Sequence, residues 1–470
     1  MAASRRNARY TPLDVDGPLP LDMIRGIPAM LRNPLGWLEQ AVRIHGDLVA
    51  LPLPRTPVLL VNTPSGARRV LQENHPNYTK QTVQYGALSL VTGAGLLSTD
   101  GEPWRRHRRV LQPAFHHGEL DQVAAATVIA AMSLRRIWDD VPVGSAVDAD
   151  AAMMRVMVEV VGRTLFADDL ADLGERVVTA VEEALRIVLA RARSPLGNGP
   201  LARLPSPSRR RLRRSVATLD DVCAQVVDRR RRRGIQPEDN DVLAVLLRAS
   251  GELSDREIRD ELVTLVIAGH ETVASSLTWT LHLLAGAPLV QKQLHAELDE
   301  VLSSGQGRAP RWSDLPALGY TRAVVDESLR LYPPAWVITR RAIAEDRVDG
   351  VIVPPGTLLL ISPWLLHRRE ESWPDPLRFD PTRFLGAGEQ SRRREGYLPF
   401  GAGPRLCIGR DFALVEATLV LAALLRDRTV AHPTGSAGQA GTTAPIAAPA
   451  VDALVTLRPR GGLPLLLSPR

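Results

Sequence analysis

Two short stretches of this sequence concentrate residue types that do chemistry. In TLVIAGHETVASSLTW (264–279) an otherwise apolar run carries Gly269, His270, Glu271 and Thr272. Adjacent His and Glu suggest zinc, because H-E-x-x-H puts two imidazoles on one helix face. Position 274 is Ala, so the second ligand is missing and zinc is set aside. A helix kink accounts for Gly269 and Thr272, since Gly is unfavourable mid-helix and Thr can bond back to a carbonyl. It does not account for Glu271, because an unpaired carboxylate inside a buried helix is costly.

The second stretch is FGAGPRLCIGR (400–410). A thiolate ligand needs backbone N–H groups aimed at sulfur, a helix N-terminus behind it and positive charge nearby. Gly401 and Gly403 permit a tight backbone excursion, Cys407 falls where the next helix begins, and Gly409 leaves room for a flat cofactor. A buried, inert thiol is the plainer reading and suits Cys223, which has no such surroundings. Three weaker patterns accompany the loop. Glu327-Ser-Leu-Arg330 puts a carboxylate and a guanidinium on one helix face, FDPTRF (379–384) contains Arg383, and WRRHRR (104–109) is a basic helical run.

These residues need rigid elements to position them. The strongest helix starts at Ser254, where Ser254 and Glu257 form a capping box, and runs to Gly286, about 46 Å at the usual rise. It is apolar on nearly every face after Leu262 and should lie inside the protein. YTRAVVDESLRLY is a helix stopped by Pro333–Pro334, and GRDFALVEATLVLAALLRD is a helix directly after Cys407. Spacing is helical from about 119 to 234, broken by a Pro/Gly/Ser/Arg-rich linker or lid at 191–210; the Arg run 229–233 reads as a solvated helix end. Strand pairs are expected at 48–63, around Pro354–Pro355–Gly356 and around Gly461–Gly462, and a long loop at 79–101. The fold class is mainly α with small β-sheets, an α+β chain without βαβ alternation.

Composition narrows the function. The chain has 470 residues, 45% of them hydrophobic, with 58 basic against 52 acidic side chains and a net charge of +6. That excess is too small and too mixed for nucleic-acid binding. Two cysteines exclude a disulfide framework and fit a reducing compartment. The basic opening MAASRRNARY leads into TPLDVDGPLPLDM rather than an apolar run, and no stretch is long enough to span a membrane. A cytoplasmic location without a membrane anchor is expected, with residues 1–20 a flexible lead-in and 21–470 a single catalytic domain.

The cysteine loop resembles that of the cytochrome P450 family of soluble bacterial type: Phe400, Gly401, Gly403, Arg405, Cys407 and Gly409 all match. Six such matches arise by chance roughly once in a hundred thousand chains of this length. The resemblance implies the P450 fold, with heme b (iron protoporphyrin IX) between the long central helix and the Cys407 loop, and Cys407 as axial thiolate and metal ligand. It makes Glu327, Arg330 and Arg383 a buried network holding the cysteine loop. It makes Trp104, Arg108, Arg405 and Arg340 partners of the heme propionates, with Arg341 competing for the role of Arg340, while Arg105, Arg106 and Arg109 read as surface. Ala268, Gly269, Glu271 and Thr272 match the oxygen-activation motif A-G-x-E-T, which implies that Thr272 handles oxygen and relays protons through a widened helix turn. Glu271 would connect that relay to solvent, and His270 would be structural.

The acid–alcohol pair implies a monooxygenase using O2 and two electrons. No reductase, flavin or iron–sulfur segment is present, so electrons should come from NAD(P)H through a separate ferredoxin and ferredoxin reductase. The patch Arg105–Arg109, with Arg410 and Arg392–Arg394, would be the docking face. A monomer is expected. The phrases WVITRRA, RRVLQPAFH and LARLPSPSRR resemble bacterial terpenoid oxidases and imply a lipophilic, terpenoid substrate. Selectivity would come from 79–101, 191–210, Val337–Ile338 and the last strand pair, with Val83, Leu88, Leu90, Leu96 and Leu97 lining an apolar pocket. The rival readings are a fatty-acid or polyketide hydroxylase, or a heme-binding protein without turnover.

Overall fold

The computed structural model describes residues 13–53, 56–166, 173–193, 206–302, 308–386, 396–433 and 449–470. The central part of the expected lid (194–205), Arg392–Arg394, most of the lead-in and most of the tail 431–450 lie outside the described residues. The chain divides into two compact units. The first comprises Met1–Thr82, Val337–Pro374 and Glu395–Leu406; the second comprises Val83–Trp336, Asp375–Arg394 and Cys407–Arg470.

The first unit is built on a five-stranded sheet in the order Leu48–Leu53, Thr56–Val61, Leu358–Ile361, Ile338–Ala342, Tyr78–Thr79. Thr56–Val61 and Leu358–Ile361 pair in parallel, and the other neighbours are antiparallel. Leu59, Val61, Val70, Leu71, Leu359 and Ile361 form its core. The hairpin expected around Pro354–Pro355–Gly356 is not formed. Val351–Val353 instead turns back on Asp346–Val348 through Asp349 and Gly350, at φ 45° and 88°, while Leu358–Ile361 joins the large sheet. An Asp-Gly pair with both φ positive closes a two-residue hairpin, whereas proline has no N–H to give to a ladder.

The second unit is mostly helical. Its central helix, Asp255–Ala285, has the full capping box at Ser254 and Glu257 and stops at Gly286, as the sequence implies. Ala149–Phe166, Gly174–Arg193 and Pro207–Arg233 are further helices of this unit. Gly319–Leu331 ends just before Pro333, and Arg410–Leu425 follows the cysteine. The expected loop at 79–101 contains a helix, Val83–Thr92, because Tyr85, Leu88, Val91 and Thr92 share a buried face that its Gly and Ser content obscures. The expected pairing around Gly461–Gly462 is also corrected. Val451–Ala453 pairs with Leu457–Pro459, and Pro464–Pro469 lies between Ala146–Asp148 and Arg428–Ala431. The turn at Gly461–Gly462, with φ of 84° and 86°, hands the chain from one sheet to the other.

The Arg run at the end of Pro207–Arg233 is not wholly solvated. Arg230 follows Val222 and Val226 on the buried face, donates to Asp241 Oδ2 at 2.8 Å and caps the Phe166 carbonyl at 3.1 Å.

Candidate active site

The central helix is buried from Ile258 to Leu284 at every position except Ala268, Gly269 and Thr272. These three lie at i, i+1 and i+4, so they share one face. The helix is α throughout, so no change of helix type accompanies this turn. What remains of the expected widening is the Thr272 hydroxyl, which donates to the Ala268 carbonyl at 2.7 Å. Gly269 is also close to its neighbours on the packed side: a Cβ there would come within 3.0 Å of Val161 Cγ2.

Glu271 is 6% exposed. Burial pushes its carboxyl up to about 7, against the pull of Arg458 and of the Thr456 hydroxyl, which donates to Oε1 at 3.1 Å. Its Oε2 is buried and meets no donor among the described residues. His270 is buried, its Nδ1 lies 2.6 Å from the Val266 carbonyl, and burial holds its ring below the usual range. That is the structural role expected of it.

Cys407 lies three residues before the Arg410–Leu425 helix, on the stretch where the chain passes from the first unit to the second. Its side chain presents an exposed face. The chain around it pushes the thiol up, while the Gly409 N–H bonded to sulfur, Arg108 and Arg410 pull it down. A backbone donor and nearby positive charge are two of the compensations a thiolate requires. On the same unit, Trp104 and Arg108 are one turn apart on Gly101–Leu111; Trp104 packs against the core, and burial lowers Arg108 while Cys407 raises it. The Gly409 position leaves only an ordinary contact, 3.6 Å to Phe115, for an added Cβ.

In the first unit, Phe400, Gly401 and Arg405 lie on the loop leading to the cysteine. Gly401 and Gly403 have φ of 72° and 68°, and a Cβ on Gly403 would overlap the Leu71 carbonyl, so the tight excursion is real and glycine-dependent. Arg340 is buried and bonds the Thr339 carbonyl at 2.9 Å. Arg341 is committed to the Gln81 and Gly356 carbonyls, at 2.9 and 3.1 Å.

Glu327 and Arg330 form two bonds, of 2.7 and 2.8 Å, with neither side chain exposed. Arg330 also donates to the Pro376 and Arg378 carbonyls, the Asp380 amide donates to Glu327 Oε1 at 3.0 Å, and Arg383 Nε lies 3.4 Å from that oxygen. Burial pushes the Glu327 carboxyl up, and this set of donors opposes it. The structure thus brings the three residues together in one largely buried cluster.

Two expectations are corrected. Arg106 is not simply surface, because it is half-buried and paired with Glu257. Its neighbour His107 is 1% exposed and stands 2.5 Å from the fully buried Glu261, a pair that no motif signalled. The apolar residues of 79–101 do not act as one pocket lining: Leu88 and Leu96 belong to the core, whereas Val83 and Leu90 are about half exposed. Thr456, Arg458 and Asp150, which surround Glu271, were also missed, and nothing in their local sequence marks them. Cys223 is the inert thiol expected, pushed by burial up to about 12.

The residues fit a heme: a cysteine sulfur with a backbone donor and two arginines around it, glycines shaping its loop, and a small-residue face on a buried helix carrying a hydroxyl. The sequence comparisons agree. The family model for Cytochrome P450 matches residues 28–439. Cyclooctat-9-en-7-ol 5-monooxygenase of Streptomyces melanosporofaciens is 38% identical over 405 residues, covering 84% of this chain and 85% of its own. Pentalenene oxygenase of Streptomyces avermitilis is 34% identical over 401 residues, covering 84% and 86%. The crystal structure of CYP175A1 from Thermus thermophillus matches with a TM-score of 0.75 and 31% identity, over 97% of this chain and all of that one. The chain therefore belongs to the cytochrome P450 family and is a P450 monooxygenase, using heme with a cysteine thiolate ligand, O2, a lipophilic substrate and redox partners. No single helix among the described residues is long and apolar enough to cross a membrane.

Proposed function

We propose that this enzyme inserts one oxygen atom from O2 into a C–H bond of a terpenoid natural product, with electrons from NAD(P)H through a separate ferredoxin and ferredoxin reductase. The observation that carries the reading is the face formed by Ala268, Gly269 and Thr272, open on an otherwise buried helix and flanked by the protonatable Glu271. Cys407 would hold the heme, with Trp104, Arg108, Arg340 and Arg405 on its propionates and Phe400, Gly401 and Gly409 shaping the loop. Bound through that thiolate, heme supplies the O–O cleavage chemistry.

The chain's own residues do the rest. Thr272 orients oxygen with a hydroxyl that can exchange its Ala268 carbonyl partner for another acceptor, and Glu271 feeds protons from the solvent side. Glu327, Arg330 and Arg383 keep the cysteine region fixed. The family model spans both compact units, which supports reading 21–470 as one catalytic domain. A ferredoxin would meet the groove of about 820 Å³ lined by Arg105, Arg108, Arg109 and Arg248. Arg105, Arg109 and Arg410 are each paired with a neighbouring carboxylate, so docking should be salt-sensitive and moderate. A monomer in the cytoplasm fits this scheme.

The terpenoid class rests on two relatives, one named for cyclooctat-9-en-7-ol and one for pentalenene. Substrate-binding difference spectra against a panel of terpenes and long-chain fatty acids test it. Saturable shifts with cyclic terpenes are expected; saturation by fatty acids alone would replace this reading with a fatty-acid hydroxylase.

A further inference from the structure

Glu271 is served by a part of the chain far from it in sequence. The turn 454–456 joins Val451–Ala453 to Leu457–Pro459, and three bonds fasten this hairpin to the central helix. Ser275 Oγ and Trp279 Nε1 both donate to the Leu457 carbonyl, at 2.6 and 2.9 Å, and Thr456 Oγ1 donates to Glu271 Oε1 at 3.1 Å. The Ser275 and Trp279 bonds hold the turn even without the Thr456 hydroxyl. Thr456 is itself buried.

The charged groups around the carboxyl come from every neighbouring element: Arg458 on the hairpin, Asp150 on Ala149–Phe166, Glu182 on Gly174–Arg193, and His270 on the central helix itself. Arg458 donates to Asp150 Oδ2 at 2.6 Å and reaches Glu182 at 3.5 Å, so its charge is already divided between two carboxylates. It makes no bond to Glu271 and acts on it only as a field. His270 is tied to its own helix through Nδ1 and stays neutral. Thr456 is thus the one direct donor to Glu271 among the described residues, and Oε2 is left without any.

We infer that Thr456 is a positioning residue for the oxygen-side chemistry: by holding Oε1 it fixes the Glu271 carboxyl and makes Oε2 the oxygen that carries the proton. This rests on the relay role of Glu271 and Thr272 proposed above. Only an O–H bond changes in the step. A proton leaves Oε2, and one from solvent replaces it, so the residue returns to its starting state. Because a hydroxyl donor favours the ionised carboxylate, removing it makes Glu271 hold its proton more tightly.

The test uses heme-loaded Thr456→Val and Thr456→Ser proteins, with Glu271→Gln alongside. The first readout needs no turnover: the infrared C=O band of the protonated carboxyl, assigned by its loss in Glu271→Gln, is titrated against pH. Thr456→Val should move its midpoint upward by about one pH unit, a tenfold change in proton affinity, and Thr456→Ser should restore it. An unmoved midpoint overturns the inference. The second readout is the split of consumed O2 between peroxide and water in substrate-free enzyme driven by NADPH, a surrogate ferredoxin and its reductase. Its pH dependence should shift with the infrared midpoint. If Glu271→Gln leaves that split unchanged while the infrared midpoint moves, the relay reading itself fails, and the role of Thr456 fails with it.

Discussion

Glu271 and Glu327 are both buried carboxylates on helices of the second unit, and they are treated in opposite ways. Glu327 receives a two-bond guanidinium, a backbone amide and a second arginine at 3.4 Å. Glu271 receives a single hydroxyl, and the nearest arginine is spoken for by other acids. Burial raises both carboxyls, but only Glu327 meets it with a full set of donors. The difference separates a carboxylate that holds structure from one that can carry a proton. The first is saturated with partners, and the second is left short of them.

The comparison breaks most sharply at Arg330. Arg330→Ala strands the Glu327 charge in the interior, and losing one partner of such a pair costs about 3–5 kcal/mol. Most of the folded, heme-containing protein should be lost, as read by soluble yield and thermal unfolding; a stable variant would show that the network is dispensable. Glu271→Gln should do the opposite and gain stability at neutral pH. The folded carboxyl, at about 7, lies above the unfolded value of 4.5, so its contribution is complete below the lower value and lost as pH rises through the higher. Relative to the Gln variant, the wild type should lose up to about 3 kcal/mol across that window. Denaturant midpoints at about pH 5 and about pH 8 check this, and parallel curves would mean that Glu271 is not held protonated by burial.

Thr272→Ala should keep fold and heme but lose about a hundredfold in product formed per NAD(P)H, the low end of what positioned proton transfer supplies. Peroxide should take up the difference, and unchanged coupling removes Thr272 from the relay. The smallest effect is expected at Gly269. Gly269→Ala gains helix propensity but brings a Cβ to 3.0 Å from Val161, so stability should change by less than about 1 kcal/mol. A larger loss would show that this turn tolerates no side chain at all.

Much of this was legible in the sequence where the signal is local. The Ser254–Glu257 box fixed one end of the central helix, and i,i+3 spacing brought Glu327 to Arg330. The glycines at 401 and 403 announced a backbone that only they adopt. The pairing of Asp346–Val348 with Val351–Val353 was readable too, from Asp349–Gly350, but the neighbouring prolines drew attention to the wrong turn. Arg230 was hidden in a run of arginines, although its spacing from Val222 and Val226 marks the buried face. Thr456 could not be found this way, because it stands 185 residues from Glu271 and nothing in its own neighbourhood signals a partner.

The central claim is that Cys407 gives this chain thiolate-ligated heme. The direct measurement is the absorption spectrum of the reduced protein under carbon monoxide, for the wild type and for Cys407→Ala. The wild type should show the red-shifted Soret band of thiolate ligation, and the variant should lose it entirely. A variant that keeps the band would contradict the ligand assignment and the site built around it.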